Sequence, residues 1–143
     1  MGTYRFLDDV AIADVAFEAW GKTEADLFEA CALATFEAMV ELDQVRPSRE
    51  INVQLENESL EGLLFGWLAE LVFLKDAEAM FLSHFQVEVS LRDGNYVLNA
   101  IVAGEPIDPE RHSMRSDVKA PTLHLFEVQP ADGGWRAQVV LDV

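Results

Sequence analysis

The chain has 143 residues, half of them hydrophobic, and 10 Lys plus Arg against 26 Asp plus Glu give it a formal net charge of −16. One domain spanning 1–143 is expected, with a core that needs no staples, and its averaged field repels phosphate backbones and anionic lipid, which excludes strong direct nucleic-acid binding. The single cysteine, Cys31, rules out an internal disulfide or a cysteine-based zinc site. No apolar run approaches the roughly 18 residues needed to span a bilayer, and Met1–Val10 lacks a signal-peptide pattern, so no membrane association and a cytoplasmic location are expected. The acidity itself suits a multivalent cation, a basic protein partner, or solubility alone.

In chain order, Tyr4–Leu7 reads as a short strand and the alternation over Ala13–Trp20 as a second. Gly21-Lys22 turns the chain, and Thr23 with Asp26 forms a capping pattern for a helix running to about Leu42. Ile51, Val53 and Leu55 alternate with polar residues as a half-buried strand. Ser59 then caps a second helix, whose Leu60, Leu63, Leu64, Trp67, Leu68, Leu71 and Val72 recur at helical spacing. Phe85–Leu91 and Tyr96–Val102 flank Asp93-Gly94 as a hairpin, and Leu123–Gln129 and Trp135–Asp142 flank Asp132-Gly133-Gly134 as another. Gly104–Pro121, with three of the five prolines, reads as a long loop, of a length that is usually functional or disordered. The expected fold is α+β, two-layered, with two helices on one face of a mixed sheet and C-terminal hairpins.

Gly21-Lys22-Thr23, between a strand and a helix, invites comparison with a phosphate-binding loop. That loop needs a glycine five residues before its second one, and Ala16 stands there, so a turn with a helix cap accounts for all three residues. His84, His112 and His124 have no metal-ligand spacing, and no serine lies in a nucleophile-elbow frame. Three carboxylates are more informative. Asp14 opens an apolar strand, Glu41 ends the first helix, and Asp142 lies in an apolar terminal strand. Oxygen ligands from separate segments are what a hard cation collects, and separate solvated charges are the plainer alternative. One basic island, Arg111, His112, Arg115 and Lys119, supplies either local ion-pair partners or a contact for phosphate or RNA.

Several segments together resemble the archease family. Ala13-Asp14-Val15 with Ala19-Trp20-Gly21-Lys22-Thr23 is similar to its A-D-[IV] and A-[YW]-G-K-T signature, and Ala32-Leu33-Ala34 with Phe36-Glu37-Ala38-Met39 to its first helix. Leu63-Leu64, Trp67-Leu68 and Glu70-Leu71 are similar to its second helix. Gly104-Glu105-Pro106, Asp108-Pro109-Glu110-Arg111-His112, Asp117-Val118-Lys119-Ala120 with Thr122 and His124, and Val140-Leu141-Asp142-Val143 continue the match in order.

The resemblance implies an accessory protein, not an enzyme, that activates an RtcB-type RNA ligase in tRNA splicing or RNA repair. It would promote guanylylation of the ligase and its repeated turnover. A chaperone-like adaptor for another RNA-modifying enzyme, such as a tRNA methyltransferase, is the alternative. The resemblance further implies a divalent-cation site at Asp14, Glu41 and Asp142, with Ca²⁺ foremost and Mg²⁺ or Mn²⁺ as alternatives, and a functional lysine at Lys119. His112 and Arg115 lie beside that lysine as further expected partner contacts. This chain departs from the family pattern at Val10-Ala11-Ile12, where D-H-T is common, at Gly66 and Ala69, where acidic or amide residues are frequent, and at Pro121.

Overall fold

Thr23 starts the first helix as its sequence predicts: its Oγ1 accepts from the Asp26 N–H at 3.1 Å. Gly21 is required for a reason other than phosphate binding, because a Cβ there would lie 2.3 Å from the Leu27 nitrogen. Ser59 caps the second helix in the same way, accepting from Gly62 N–H at 3.0 Å. The computed structural model describes residues 2–8 and 14–143, so Ala13 and the Val10-Ala11-Ile12 departure lie outside the described residues. The elements are β1 (Thr3–Leu7), β2 (Val15–Gly21), α1 (Glu24–Glu37), a 3-10 turn (Leu42–Gln44), β3 (Arg49–Asn57), α2 (Leu60–Glu78), β4 (Met80–Arg92), β5 (Asn95–Pro106), β6 (Ala120–Ala131) and β7 (Gly134–Asp142).

The α+β class and the two helices are as expected from the sequence. The strands are sorted into two antiparallel sheets, β1-β2-β7-β6 and β3-β5-β4, where a single mixed sheet was the expectation. The cause is α1. Leu27, Phe28, Ala30, Cys31, Ala32, Ala34 and Phe36 are fully buried around its circumference, and a helix that is apolar all round has to be covered on more than one side. It touches β1, β2 and β7 of one sheet and β4 of the other. The Cys31 thiol is enclosed there, and burial pushes its pKa up. The second helix buries one stripe, and Trp67 ties it to the first by donating Nε1–H to the Phe28 carbonyl at 3.0 Å.

Several boundaries differ from the sequence reading: α1 ends at Glu37, short of the expected Leu42, so that Glu41 lies beyond it, and β6 begins at Ala120, before the expected Leu123. The fourth strand begins at Met80, because Met80, Phe81 and Leu82 are buried on both faces and show no alternation. The fifth runs on to Pro106, which shortens the expected loop to residues 107–119. Among the described residues four other than glycine have positive φ: Ala79, Asp93, Leu125 and Asp132. Ala79 closes α2, and Asp93 and Asp132 precede glycines in hairpin turns. Leu125 differs, since it lies inside β6 where the pairing with β7 shifts between Thr122 and Glu127, and its side chain is about half exposed. A leucine held at φ 54 is strained. Leu125→Gly is therefore expected to raise stability by about 1 kcal/mol in urea unfolding; a loss of stability would show that the side chain's contacts outweigh the strain.

Candidate functional site

Residues 107–119 are pinned at three places. The first is a buried knot at the end of β5. Glu105 is 7% exposed and accepts from the Arg46 backbone N–H at 2.7 Å, from His112 Nε2 at 3.0 Å and from the guanidinium of Arg111. His112 Nδ1 accepts from the Asp108 N–H at 2.9 Å, so the ring proton lies on Nε2 and faces Glu105. Arg111 hydrogen-bonds to the carboxylate, and although burial opposes this and the Arg46 N–H adds to it, the net effect holds the Glu105 pKa down at about 2.

At the second place the loop is laid along the end of α1. Arg115 N–H bonds to Met39 O at 2.7 Å, Ser116 N–H to Ala38 O at 3.1 Å, and Glu41 N–H to Ser113 O at 3.0 Å. The Arg115 guanidinium donates to the Glu37 carbonyl at 2.7 Å and to Glu41 Oε2 at 2.6 Å, satisfying the helix's C-terminal end with a cation. The third anchor is Lys75, in the last turn of α2 and 4% exposed. Its Nζ reaches Asp117 Oδ1 at 2.8 Å, Val118 O at 3.0 Å and Asp76 Oδ1 at 3.0 Å.

Beyond these anchors the loop delivers Lys119 to the end of β7, where its N–H bonds to the Asp142 carbonyl at 2.8 Å. Val15 pairs with Leu141, so one further step in the same antiparallel register sets Asp14 opposite Asp142, and Ala120 pairs with Asp142 from the other side. Residues directly opposite on neighbouring strands point to the same face. Asp14, immediately before β2, thus falls opposite Asp142 if the register is continued by one step, with Lys119 immediately before β6 alongside. Neither carboxylate has a side-chain hydrogen bond or ion pair among the described residues, and the exposed Lys119 ammonium has none either. Like charges opposite one another are unfavourable without a neighbouring cation.

The structure divides the expected site residues. Asp14, Asp142 and Lys119 share one end of the β2-β7-β6 ladder, whereas Glu41 is engaged by Arg115 at the α1 terminus. Among the described residues no three His, Cys, Asp or Glu side chains gather as a metal-holding group. Carboxylates such as Asp14 and Asp142 are the oxygen donors a hard cation takes, and the Glu41 carboxylate is paired with Arg115. His112, at 4% exposure, lies edge-on to Phe81 and is engaged by Glu105 and the Asp108 N–H within the loop's internal framework. Arg115 is exposed but committed to Glu41. Lys75 was missed, although a signal for it is present, since it continues the apolar stripe as Leu71 plus four and Val72 plus three.

Two antiparallel sheets about a buried helix, with a pinned loop ending in a lysine beside a terminal-strand aspartate, define a small α+β protein. Residues 4–143 match the Archease protein family (MTH1598/TM1083). The chain is similar to "Protein archease" of Pyrococcus furiosus, at 38% identity over 92% of this chain and 93% of that one. It is also similar to "Protein archease" of Methanosarcina mazei, at 36% identity over 98% and 95%. The solution structure of Methanobacterium thermoautotrophicum protein 1598 superposes with a TM-score of 0.87 over 98% of each chain, at 36% identity. The chain belongs to the archease family. Among the described residues no helix is long and apolar enough to cross a membrane.

Proposed function

We propose that this chain is an accessory protein that activates an RtcB-type RNA ligase in tRNA splicing or RNA repair, with Lys119 as the residue that meets the ligase. The family match over nearly the whole chain supports the role, and one observation carries the site. Lys119 is an exposed ammonium with no hydrogen bond or ion pair of its own, set by its backbone against the Asp14–Asp142 end. In a protein of charge −16 an exposed cation without a hydrogen bond or ion pair of its own, its backbone held in place, is suited to an acidic or phosphate-bearing surface. Asp14 and Asp142 would hold a divalent cation, Ca²⁺ foremost; when bound, the cation neutralises their mutual repulsion. The chemistry of joining RNA ends stays with the ligase.

The test is single-turnover guanylylation of the cognate ligase with and without this protein. Wild type is expected to accelerate it, and Lys119→Ala, which removes an exposed side chain and leaves the fold intact, to lose at least about tenfold of that acceleration, the loss of one charge-assisted contact. No acceleration by wild type would sink the role; full acceleration by Lys119→Ala would sink the assignment of the lysine. A methyltransferase recovered from cell extract in place of the ligase would point to a different client.

A further inference from the structure

We propose that Lys75 is a positioning residue whose buried ammonium sets the backbone of residues 117–118 and thereby presents Lys119. This rests on the reading of Lys119 as the partner contact. Position 75 is on the apolar stripe of α2, between turns occupied by Leu71, Val72 and the core, and a leucine or methionine would fill it at no electrostatic cost. The chain instead buries an ammonium there and satisfies all three of its protons, with Asp76, Asp117 and the Val118 carbonyl. Buried ion pairs contribute little net stability over an apolar replacement, since desolvation offsets the attraction. What this one contributes is geometry.

The Val118 side chain is fully buried and its carbonyl is held by Lys75. The next N–H, that of Lys119, is held by Asp142 O. The peptide unit between Val118 and Lys119 is therefore held at both its oxygen and its nitrogen, which restricts where the Lys119 side chain leaves the backbone. Asp117 completes the clamp from the loop side. Its carboxyl is mostly exposed, and the hydrogen bond from Lys75 holds its pKa below the usual carboxylate range. Burial acts to lower the Lys75 pKa, and Asp117 and Asp76 together outweigh it, so the ammonium keeps its charge.

The experiment compares Lys75→Met with wild type by amide hydrogen exchange and by ligase guanylylation at varied protein concentration. Lys75→Met keeps the length and apolar character of the stripe. The Lys119 amide is expected to exchange at least about tenfold faster in it, while Ala137 and Val139 amides in β7 keep their protection. The half-saturating concentration for ligase activation is expected to rise about fivefold or more, with the maximal rate retained, and the Lys75→Met, Lys119→Ala double variant to be no worse than Lys119→Ala alone. Should Lys75→Met fail to fold, Asp117→Asn weakens the same clamp from its exposed side and is read identically. Unchanged Lys119 exchange, or additive losses in the double variant, overturns the proposal. If Lys119→Ala activates as wild type does, the partner-contact reading falls with the activation arm, while the exchange arm still decides whether the clamp holds the loop.

Discussion

Replacing Glu105 by Gln is expected to destabilise the fold by on the order of 3 kcal/mol at neutral pH, measured by urea unfolding. The carboxylate accepts from three directions: the Arg46 N–H, His112 Nε2 and Arg111. An amide has one accepting oxygen, and its NH₂ would face a donor wherever it is turned. The pH dependence provides a second readout. In the folded protein the Glu105 pKa falls from 4.5 to about 2. A depressed pKa means that the unfolded chain binds the proton more readily, so the contribution is fully present above about 4.5 and is lost as pH falls through 4.5 toward 2. The fall is worth on the order of 3 kcal/mol. The stability difference between wild type and Glu105→Gln should therefore be constant above pH 5 or so and shrink below it. Glu18, which is pushed up by burial but held down more strongly by Arg136 and Arg5, also loses stability in acid, but it does so in both proteins and cancels in the difference. A difference that stays flat through pH 4 would mean that the knot is not ionised as drawn.

Much of this fold was legible because its signals are local. Thr23 and Ser59 cap the two helices, Asp93-Gly94 and Asp132-Gly133 turn the two hairpins, and the α2 stripe is core, all as the sequence predicts. The strand beginning at Met80 was not legible as one, because period-two alternation vanishes where both faces are covered. Sheet partition was hidden for a related reason. It depends on α1 being apolar all round, a property its alanines and Cys31 state only weakly. At the candidate site, the sequence placed Asp14, Asp142 and Lys119 on separate segments, and register brings them to one ladder end. Residue type and the family resemblance group Glu41 with them; its carboxylate is paired with Arg115, 74 positions away along the chain, and no spacing rule reveals such a pairing. His112 was read as part of a basic surface. Its partners, Glu105 and the Asp108 N–H, make it interior, and a histidine seven residues after a glutamate gives no hint of that.

Gly104→Ala should cost at least about 3 kcal/mol, at the upper end for an overpacked site. A Cβ on Gly104 would stand 1.8 Å from the Phe81 carbonyl oxygen and 2.8 Å from the Leu82 Cα. Both are backbone atoms, so no rotamer change relieves the clash. The backbone cannot withdraw in the other direction either, because β5 is the central strand of its sheet, with Gly104 paired to Leu82 on one side and to Arg49 on the other. The close approach coincides with the irregularity of β4 between Leu82 and His84, which brings that strand's backbone toward the glycine. Glu105 is the next residue, so the damage should extend to the knot and to the loop it anchors. The same substitution at Gly66, in the middle of α2 with no atom within 4 Å of the added Cβ, should instead raise stability by about 0.5–1 kcal/mol through helix propensity and the entropy of the unfolded chain. Thermal or urea unfolding of the two variants side by side measures both. Equal effects of the same sign at the two glycines would contradict the strand approach at Phe81 and Leu82, whereas opposite signs are what a crowded site on β5 and an open one on α2 require.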